Sequence, residues 1–324
     1  MARCPSCGTE TDLDVYVCDN CGYHIKTEKI ERFPMFARPI ERWFKPDPWY
    51  LRIAKTIYKP NYAFWDITKK KDSWGPRFIR FFVGIFTGLW IVAIFLHVKT
   101  SSEPLLNRVG VGLAFFAAFF IFGLIYWRLV FWLYSLVYEL AANFSVQLDG
   151  IIAIRYNVKV KKGRLRDFIS GRTRLEQLRK TEAVSELIEK DYKYSSIRKT
   201  GKKKVMNYAY TPFVVVNLLS FLILLIGLPT VDLGSFSNFS AITTTMQPIW
   251  DAQLVWSLLD ILQIIAILWT TVLMSLAFRE LGNTNTAKLL VGNFIVSIFI
   301  IYTTIFLRPT LGWNLNLISK LGSG

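Results

Sequence analysis

Five long apolar runs, separated by polar or charged segments, follow residue 77 of this 324-residue chain. Each is close to 20 residues or longer, which lets a helix rising ~1.5 Å per residue cross ~30 Å of hydrocarbon. The runs are too long for strands, and only a helix satisfies all its backbone polar groups within one hydrocarbon-embedded segment. The pattern therefore predicts an all-α polytopic membrane protein with five transmembrane helices, at about 78–98, 109–135, 210–228, 254–278 and 289–307.

The second apolar run is longer than a single span needs, because it continues from Val109 past Arg128 to Leu140. Two spans would require turn residues between them, and the run contains none. One long helix is therefore favoured over two. Its lower turns are expected to leave the bilayer, with the Arg128 guanidinium at headgroup level.

Basic residues are distributed unequally between the segments that alternate across five spans. One side, with residues 1–77, about 141–209 and the loop between the fourth and fifth spans, holds 33 of the 39 Lys and Arg; the other holds four. Because cytoplasmic segments carry the excess of Lys and Arg, the N-terminus is predicted to be cytoplasmic and the C-terminus outside. This asymmetry explains how 52% hydrophobic residues coexist with a formal net charge of +16. An ordinary soluble enzyme and a disordered polycation are both excluded.

All the cysteines lie in the first 21 residues, in two C-x-x-C-G motifs: Cys4, Cys7, Cys18 and Cys21. Two such turns present four thiolates to one tetrahedral metal ion, and disulfides are disfavoured in a reducing cytoplasm. The spacing predicts a structural zinc ribbon at 1–26, with rubredoxin-like iron as the minor alternative and His24 as a bystander. Four protein ligands leave no open coordination position, so no catalysis is expected at this metal.

Residues 27–77 form a basic linker rich in aromatic residues and prolines, which exclude one continuous helix. Trp49–Tyr58 and Pro60–Ile67 are predicted to be short amphipathic helices, with aromatic residues and Ile on one face and Lys and Arg on the other. Placed just before a span, they suit the headgroup layer of the membrane. An unspecialised linker is the alternative.

The insertion at about 141–209 is a second basic element. Apolar and polar residues alternate weakly over 152–160, which predicts a strand there, and residues 174–192 have the apolar spacing of a helix. No nucleic-acid recognition motif accompanies the charge, so anionic lipid headgroups or an acidic partner surface are predicted instead of nucleic acid. A solvated loop without a specific partner is the alternative.

Signatures of enzymes are missing from the sequence: it has two histidines, His24 and His97, and no P-loop or H-E-x-x-H motif. The chain is therefore predicted to be non-enzymatic. Asp260 and Gln263 lie one turn apart in the fourth span, where an ionisable group is costly and indicates an ion or proton site. The competing interpretation is a helix-to-helix pairing with Asn217, Asn293 or a Thr hydroxyl.

Several motifs together resemble the Yip family of membrane proteins over roughly residues 50–310. They are Pro60-x-x-x-Phe64-x-x-Ile67, Pro76 before the first span, YAYTP at 208–212, Trp256 in the fourth span and FRELGNTNTAK at 278–288. The resemblance implies a five-span domain, here at 78–310, with a cytoplasmic N-terminus. Eukaryotic Yip proteins bind Rab-type small GTPases in vesicle trafficking. The zinc ribbon and the long second loop depart from that pattern and suit a prokaryotic member.

The sequence thus favours a non-enzymatic membrane adaptor or scaffold of Yip type in a prokaryotic cell membrane. Its basic cytoplasmic elements would recruit a cytosolic partner, a small GTPase by family resemblance alone, or organise the membrane through anionic lipid. The alternative is a small transporter or channel that uses Asp260 and Gln263.

Overall fold

Helices dominate the structure, a computed structural model that describes residues 2–11, 16–18, 21, 23–39, 47–69, 75–100, 105–155, 203–233 and 239–306. The helices are α1 (Trp49–Tyr58), α2 (Pro60–Lys69), α3 (Gly75–Leu96), α4 (Leu105–Arg155), α5 (Thr211–Gly227), α6 (Phe239–Trp250), α7 (Gln253–Gly282) and α8 (Thr286–Ile301). Two small sheets pair β1 (Ala2–Arg3) with β2 (Glu10–Thr11), and β3 (Val98–Thr100) with β4 (Val231–Leu233).

Five helices are long and apolar enough to cross a membrane, in agreement with the sequence prediction. They are α3, α4, α5, α7 and α8, named the first to the fifth span below. The third span is preceded by a helical turn from Lys203, and the fifth continues as a π-helical turn at Tyr302–Phe306. The chain is a multi-pass membrane protein with an all-α membrane region.

The second span is one unbroken helix, as predicted, but its apolar part is longer than expected. It runs through Val109–Ser145, which is 37 residues and about 56 Å at 1.5 Å per residue. The Tyr138 and Thr271 hydroxyls lie 3.0 Å apart, and a Cβ added at Gly292 would overlap the Ser145 hydroxyl. The helix therefore continues beyond the predicted span at 109–135, as expected for a helix whose lower turns leave the bilayer, and it still packs on the fourth and fifth spans at Ser145.

The first residues of the basic insertion predicted at about 141–209 are helical, because α4 continues to Arg155. The strand predicted at 152–160 is wrong for its first four residues, which are helical. Its remainder lies outside the described residues. So does the helix predicted at 174–192.

Small residues let the first and second spans approach closely. Cβ atoms added at Gly84 and Gly88 would lie 2.7 Å and 2.9 Å from the side chains of Leu124 and Phe116. Two glycines four residues apart expose one strip of backbone for such packing. The Trp127 indole nitrogen donates to the Thr87 hydroxyl at 3.0 Å, so a polar contact accompanies the close approach.

The segment between the third and fourth spans contains structure that its composition did not reveal. β4 pairs in parallel with β3, and α6 follows it. Val98, Val231 and Ile249 join apolar residues of the first, third and fourth spans in one buried cluster. Trp256 completes it by donating its indole N–H to the Ile249 carbonyl at 2.9 Å.

The chain forms two compact units. The first comprises Met1–Arg77, Phe131–Thr211 and Thr270–Ile298, and the second comprises Phe78–Val130, Pro212–Trp269 and Phe299–Gly324. The four cysteines, α1 and α2, and the loop between the fourth and fifth spans all belong to the first unit.

Candidate metal centre and its docking on the chain

The two C-x-x-C-G motifs form tight turns that bring their sulfurs together. In the first, the amides of Cys4 and Gly8 donate to the carbonyls of Thr9 and Cys4, each at 2.9 Å, beside the β1–β2 ladder. Gly8 has a φ of 71°, which favours glycine because other residues pay a steric cost there. In the second, the Cys18 amide donates to the Tyr23 carbonyl at 2.9 Å.

The four cysteine sulfurs all lie within 4.8 Å of one another. The Sγ atoms of Cys4 and Cys21 are 3.4 Å apart, and those of Cys7 and Cys18 are 3.6 Å apart. Zinc–sulfur bonds of ~2.3 Å in a tetrahedron place sulfurs about 3.8 Å apart, whereas a disulfide needs about 2.05 Å. The cysteines are free thiols whose arrangement fits a single metal ion, with each close pair joining one motif to the other.

The environment of two of these thiols favours the thiolate, which is the form that binds metal. The Thr9 hydroxyl, 3.1 Å from the Cys7 sulfur, and the Thr9 amide lower the pKa of Cys7 from 9.0 to about 6. A hydrogen bond from the Tyr23 backbone amide lowers the pKa of Cys21. Hydrogen bonds to both sulfurs therefore favour the form that binds metal.

His24 lies beside the centre without joining it. Its backbone forms an antiparallel bridge with Val17, next to Cys18. Among the described residues, the group able to hold a metal contains only the four cysteines. The bystander role of His24 stays a prediction.

The ribbon docks on the loop that joins the fourth and fifth spans. Asn283 ends the fourth span in a left-handed conformation, with a φ of 49°, which asparagine tolerates better than most residues. Its side-chain amide accepts from the Val17 amide at 3.2 Å and donates to the Val17 carbonyl at 2.7 Å. The Asn285 side chain donates to the Tyr16 hydroxyl at 2.9 Å. Residues 16 and 17, directly before Cys18, are thus hydrogen-bonded to this loop.

The Arg38 side chain connects the linker to the same loop. It donates to the Asn283 side chain at 3.1 Å and the Thr284 carbonyl at 3.0 Å. It also pairs with Glu28 at 2.9 Å and Glu31 at 2.7 Å. Its guanidinium carbon lies 4.8 Å from the centre of the Tyr16 ring, a cation–π contact. One buried cation therefore holds the ribbon, the linker and the loop together.

The start of the fifth span is capped by Glu28 of the linker and by Asn285 directly before the helix. Both carboxylate oxygens of Glu28 accept from the Thr286 amide, at 3.0 Å and 2.9 Å. The Asn285 side chain accepts from the Lys288 amide at 3.0 Å, the usual bond of an N-cap residue. A carboxylate is also favoured here by the helix dipole. We refer to the contacts of Tyr16, Val17, Glu28 and Arg38 with residues 283–286 as the ribbon clamp.

Beside the clamp, the linker is held to the fourth span and to α2. Arg279 is fully buried, pairs with Glu280 at 2.7 Å and donates to the Phe36 carbonyl at 2.5 Å. Asn61 at the start of α2 donates to the carbonyls of Pro34 and Ala37, at 3.1 Å and 2.9 Å. These bonds satisfy backbone groups that an irregular segment cannot satisfy itself.

The polar residues predicted within the spans differ in their burial and in the hydrogen bonds they form. Asp260 is buried, with 6% of its surface exposed, and Gln263 is half-buried. Asn217 donates to the Phe213 carbonyl in its own helix at 2.7 Å, whereas Asn293 donates to the Ser275 hydroxyl at 3.0 Å. The Asn293 bond therefore links the fifth span to the fourth.

Comparison with known proteins adds no further assignment. No protein-family model, curated protein or solved structure matches this chain. The resemblance to the Yip family accordingly rests on the motifs and the five spans.

The residues of the ribbon clamp were not predicted as a site. Glu28 and Arg38 lie in a stretch that reads as a polar linker, and their partners are about 250 residues further along the chain. The available signal was Asn283-Thr-Asn285 between two apolar runs, because asparagine is common at helix ends. That signal locates the loop but does not reveal what binds it.

Proposed function

We propose that this chain is a non-enzymatic membrane adaptor or scaffold of Yip type. The observation that supports it is the ribbon clamp, which holds a small cysteine-rich module in a defined orientation on the loop between two spans. A module that docks a cytosolic partner benefits from such pre-orientation, because less freedom is then lost on binding. The module and its basic linker would recruit a cytosolic protein or organise the membrane.

The metal in this proposal is one structural zinc ion bound by Cys4, Cys7, Cys18 and Cys21. Four thiolates are a common zinc site, and they leave no position for a substrate or water. Some twenty residues bury too little apolar surface to fold alone, so the ion would replace a hydrophobic core. The metal-bound ribbon would then present residues 16 and 17 to the loop.

The proposed orientation places the N-terminus in the cytoplasm and the C-terminus outside, with the protein in a prokaryotic cell membrane. The support is the excess of Lys and Arg in alternate segments. The basic elements would contact anionic lipid headgroups. A small GTPase is the partner class that the Yip resemblance suggests.

The adaptor proposal is tested by cross-linking the full-length protein in cells and identifying its neighbours. Cys18→Ser should remove the metal, and Asn283→Ala should release the ribbon while the four cysteines remain. We expect both changes to lose the same cytosolic neighbour, and Asp260→Asn, remote from the ribbon in sequence, to retain it. A neighbour set unaffected by the first two changes would contradict the proposal.

Transport is the second candidate function, favoured by the burial of Asp260 within the fourth span. Proteoliposomes containing the wild-type protein or Asp260→Asn separate the two candidates. A transporter would leak ions or small solutes in a way that Asp260→Asn abolishes. If vesicles with either protein stay equally tight, transport through this residue is refuted.

A further inference from the structure

The first helix of the linker, α1, turns its apolar side outward and its most polar side inward. Arg52 and Thr56 are buried, at 1% and 0% exposure. The opposite face carries large apolar and aromatic side chains, exposed by 37% to 60%: Tyr50, Leu51, Ile57 and Tyr58. Positions 50, 51, 57 and 58 share one side of a helix with 3.6 residues per turn. The sequence pattern predicted an apolar face opposite a face with Lys and Arg, and on that second face Arg52 is buried.

A buried ion pair determines which way α1 faces. The Arg52 guanidinium pairs with the Asp66 carboxylate of α2 at 2.8 Å, with both side chains at most 5% exposed. The same carboxylate accepts from the Asp47 amide at 3.3 Å, and the Asp47 side chain pairs with Lys55 at 2.6 Å. Rotating the helix to bury its aromatic face would break the pair and leave a charge unpaired. The outward apolar face is therefore a stable feature of the hairpin formed by α1 and α2.

Three observations indicate what covers this face. First, α2 ends at Lys69 and the first span begins at Gly75, so the intervening chain can extend by at most about 21 Å. The hairpin is thus tethered close to the membrane. Second, residues 47–77 contain seven Lys and Arg against three Asp. Third, two of the four outward residues are tyrosines, which favour the boundary between water and lipid.

We propose that the face formed by Tyr50, Leu51, Ile57 and Tyr58 lies in the interfacial layer of the bilayer. There the apolar groups reach the upper acyl chains and the neighbouring lysines contact anionic headgroups. An amphipathic helix of this kind lies flat at the boundary between headgroups and acyl chains. The lipid-facing surface of the protein then includes α1 in addition to the five spans. This inference does not depend on the adaptor function, because it uses only the hairpin and its tether.

The test places a fluorescent amino acid at position 58 of the full-length protein in nanodiscs of mixed zwitterionic and anionic lipid. The matched control carries the same label at Tyr23, an aromatic residue of the ribbon that is 47% exposed. Lipids brominated on the upper acyl chain should quench position 58 at least about twofold more than position 23, because brominated carbons lie within ~10 Å of the interface. Aqueous iodide should show the opposite order.

Two results would overturn the proposal. If position 58 matches position 23 with both quenchers, the face is solvated. If position 58 is protected from both, another protein segment or a second copy covers it. A label at Tyr50 on the same face repeats the measurement should the first variant fail to fold. Either negative result leaves the cross-linking test of the adaptor function unaffected.

Discussion

Arg38 is the residue whose removal should open the ribbon clamp. Its side chain is 5% exposed, and the carboxylate partners, Glu28 and Glu31, are 4% and 9% exposed. The substitution Arg38→Met keeps much of the side-chain volume while removing the charge and the hydrogen bonds to Asn283 and Thr284. It leaves two carboxylates in a site built for a cation.

The free-energy cost of removing this charge predicts that the ribbon clamp opens locally instead of adjusting slightly. Removing one partner of a buried ion pair costs about 3–5 kcal/mol. The hydrogen bonds of Tyr16, Val17 and Glu28 to residues 283–286 remain, so this cost weakens the clamp without removing all of its contacts. Since about 1.4 kcal/mol is a factor of ten, the population of the open clamp should rise by at least about 100-fold.

Hydrogen exchange read by mass spectrometry measures this opening in the full-length protein. We expect faster exchange of amides at 16–18 and 283–289, with unchanged exchange in the first span. The control is Arg32→Met, which removes an exposed cation from the same linker. Protection at 283–289 that matches the wild type in Arg38→Met would refute the idea that this arginine holds the clamp closed.

Two further predictions concern the metal and the packing of the spans. X-ray absorption of the purified full-length protein should show one zinc with four sulfurs at ~2.3 Å, and loss of the metal in Cys7→Ser; a nitrogen ligand would implicate His24 and contradict the four-thiolate site. Gly292→Ala should lower thermal stability by about 1–3 kcal/mol because the added methyl meets Ser145, and a second change, Ser145→Gly, should restore it. Gly110→Ala, with no neighbour within 4 Å, is the control, and equal losses in both alanine variants would show that the close approach is unimportant.

Much of the membrane region could be predicted because the bilayer imposes a local rule. A segment in hydrocarbon must be apolar, about 20 residues long and helical, so composition alone locates it. The same rule does not determine how far the second helix continues beyond its span. Only the tertiary structure shows this helix packing on the fourth and fifth spans as far as Ser145.

Which polar residues face the protein interior could not be predicted from the sequence in this way. A helical pattern distinguishes two faces of α1 but does not say which face meets protein. That choice depends on Asp66 of α2, whose carboxylate is a buried partner for Arg52. Likewise, only the structure shows that the Asn293 side chain donates to the Ser275 hydroxyl of the fourth span. Such pairings depend on distances between helices, which periodicity does not contain.

The sequence by itself determined the five spans and the four-cysteine cluster, because both depend on residues close together along the chain. Only the tertiary structure decided that the cysteine-rich module is docked on residues 283–286, through Glu28 and Arg38. Those contacts join segments about 250 residues apart, and they involve ordinary polar side chains without a recognisable spacing. Burial gives them their strength, since a paired charge removed from water is costly to separate, and burial is a property of the folded chain alone.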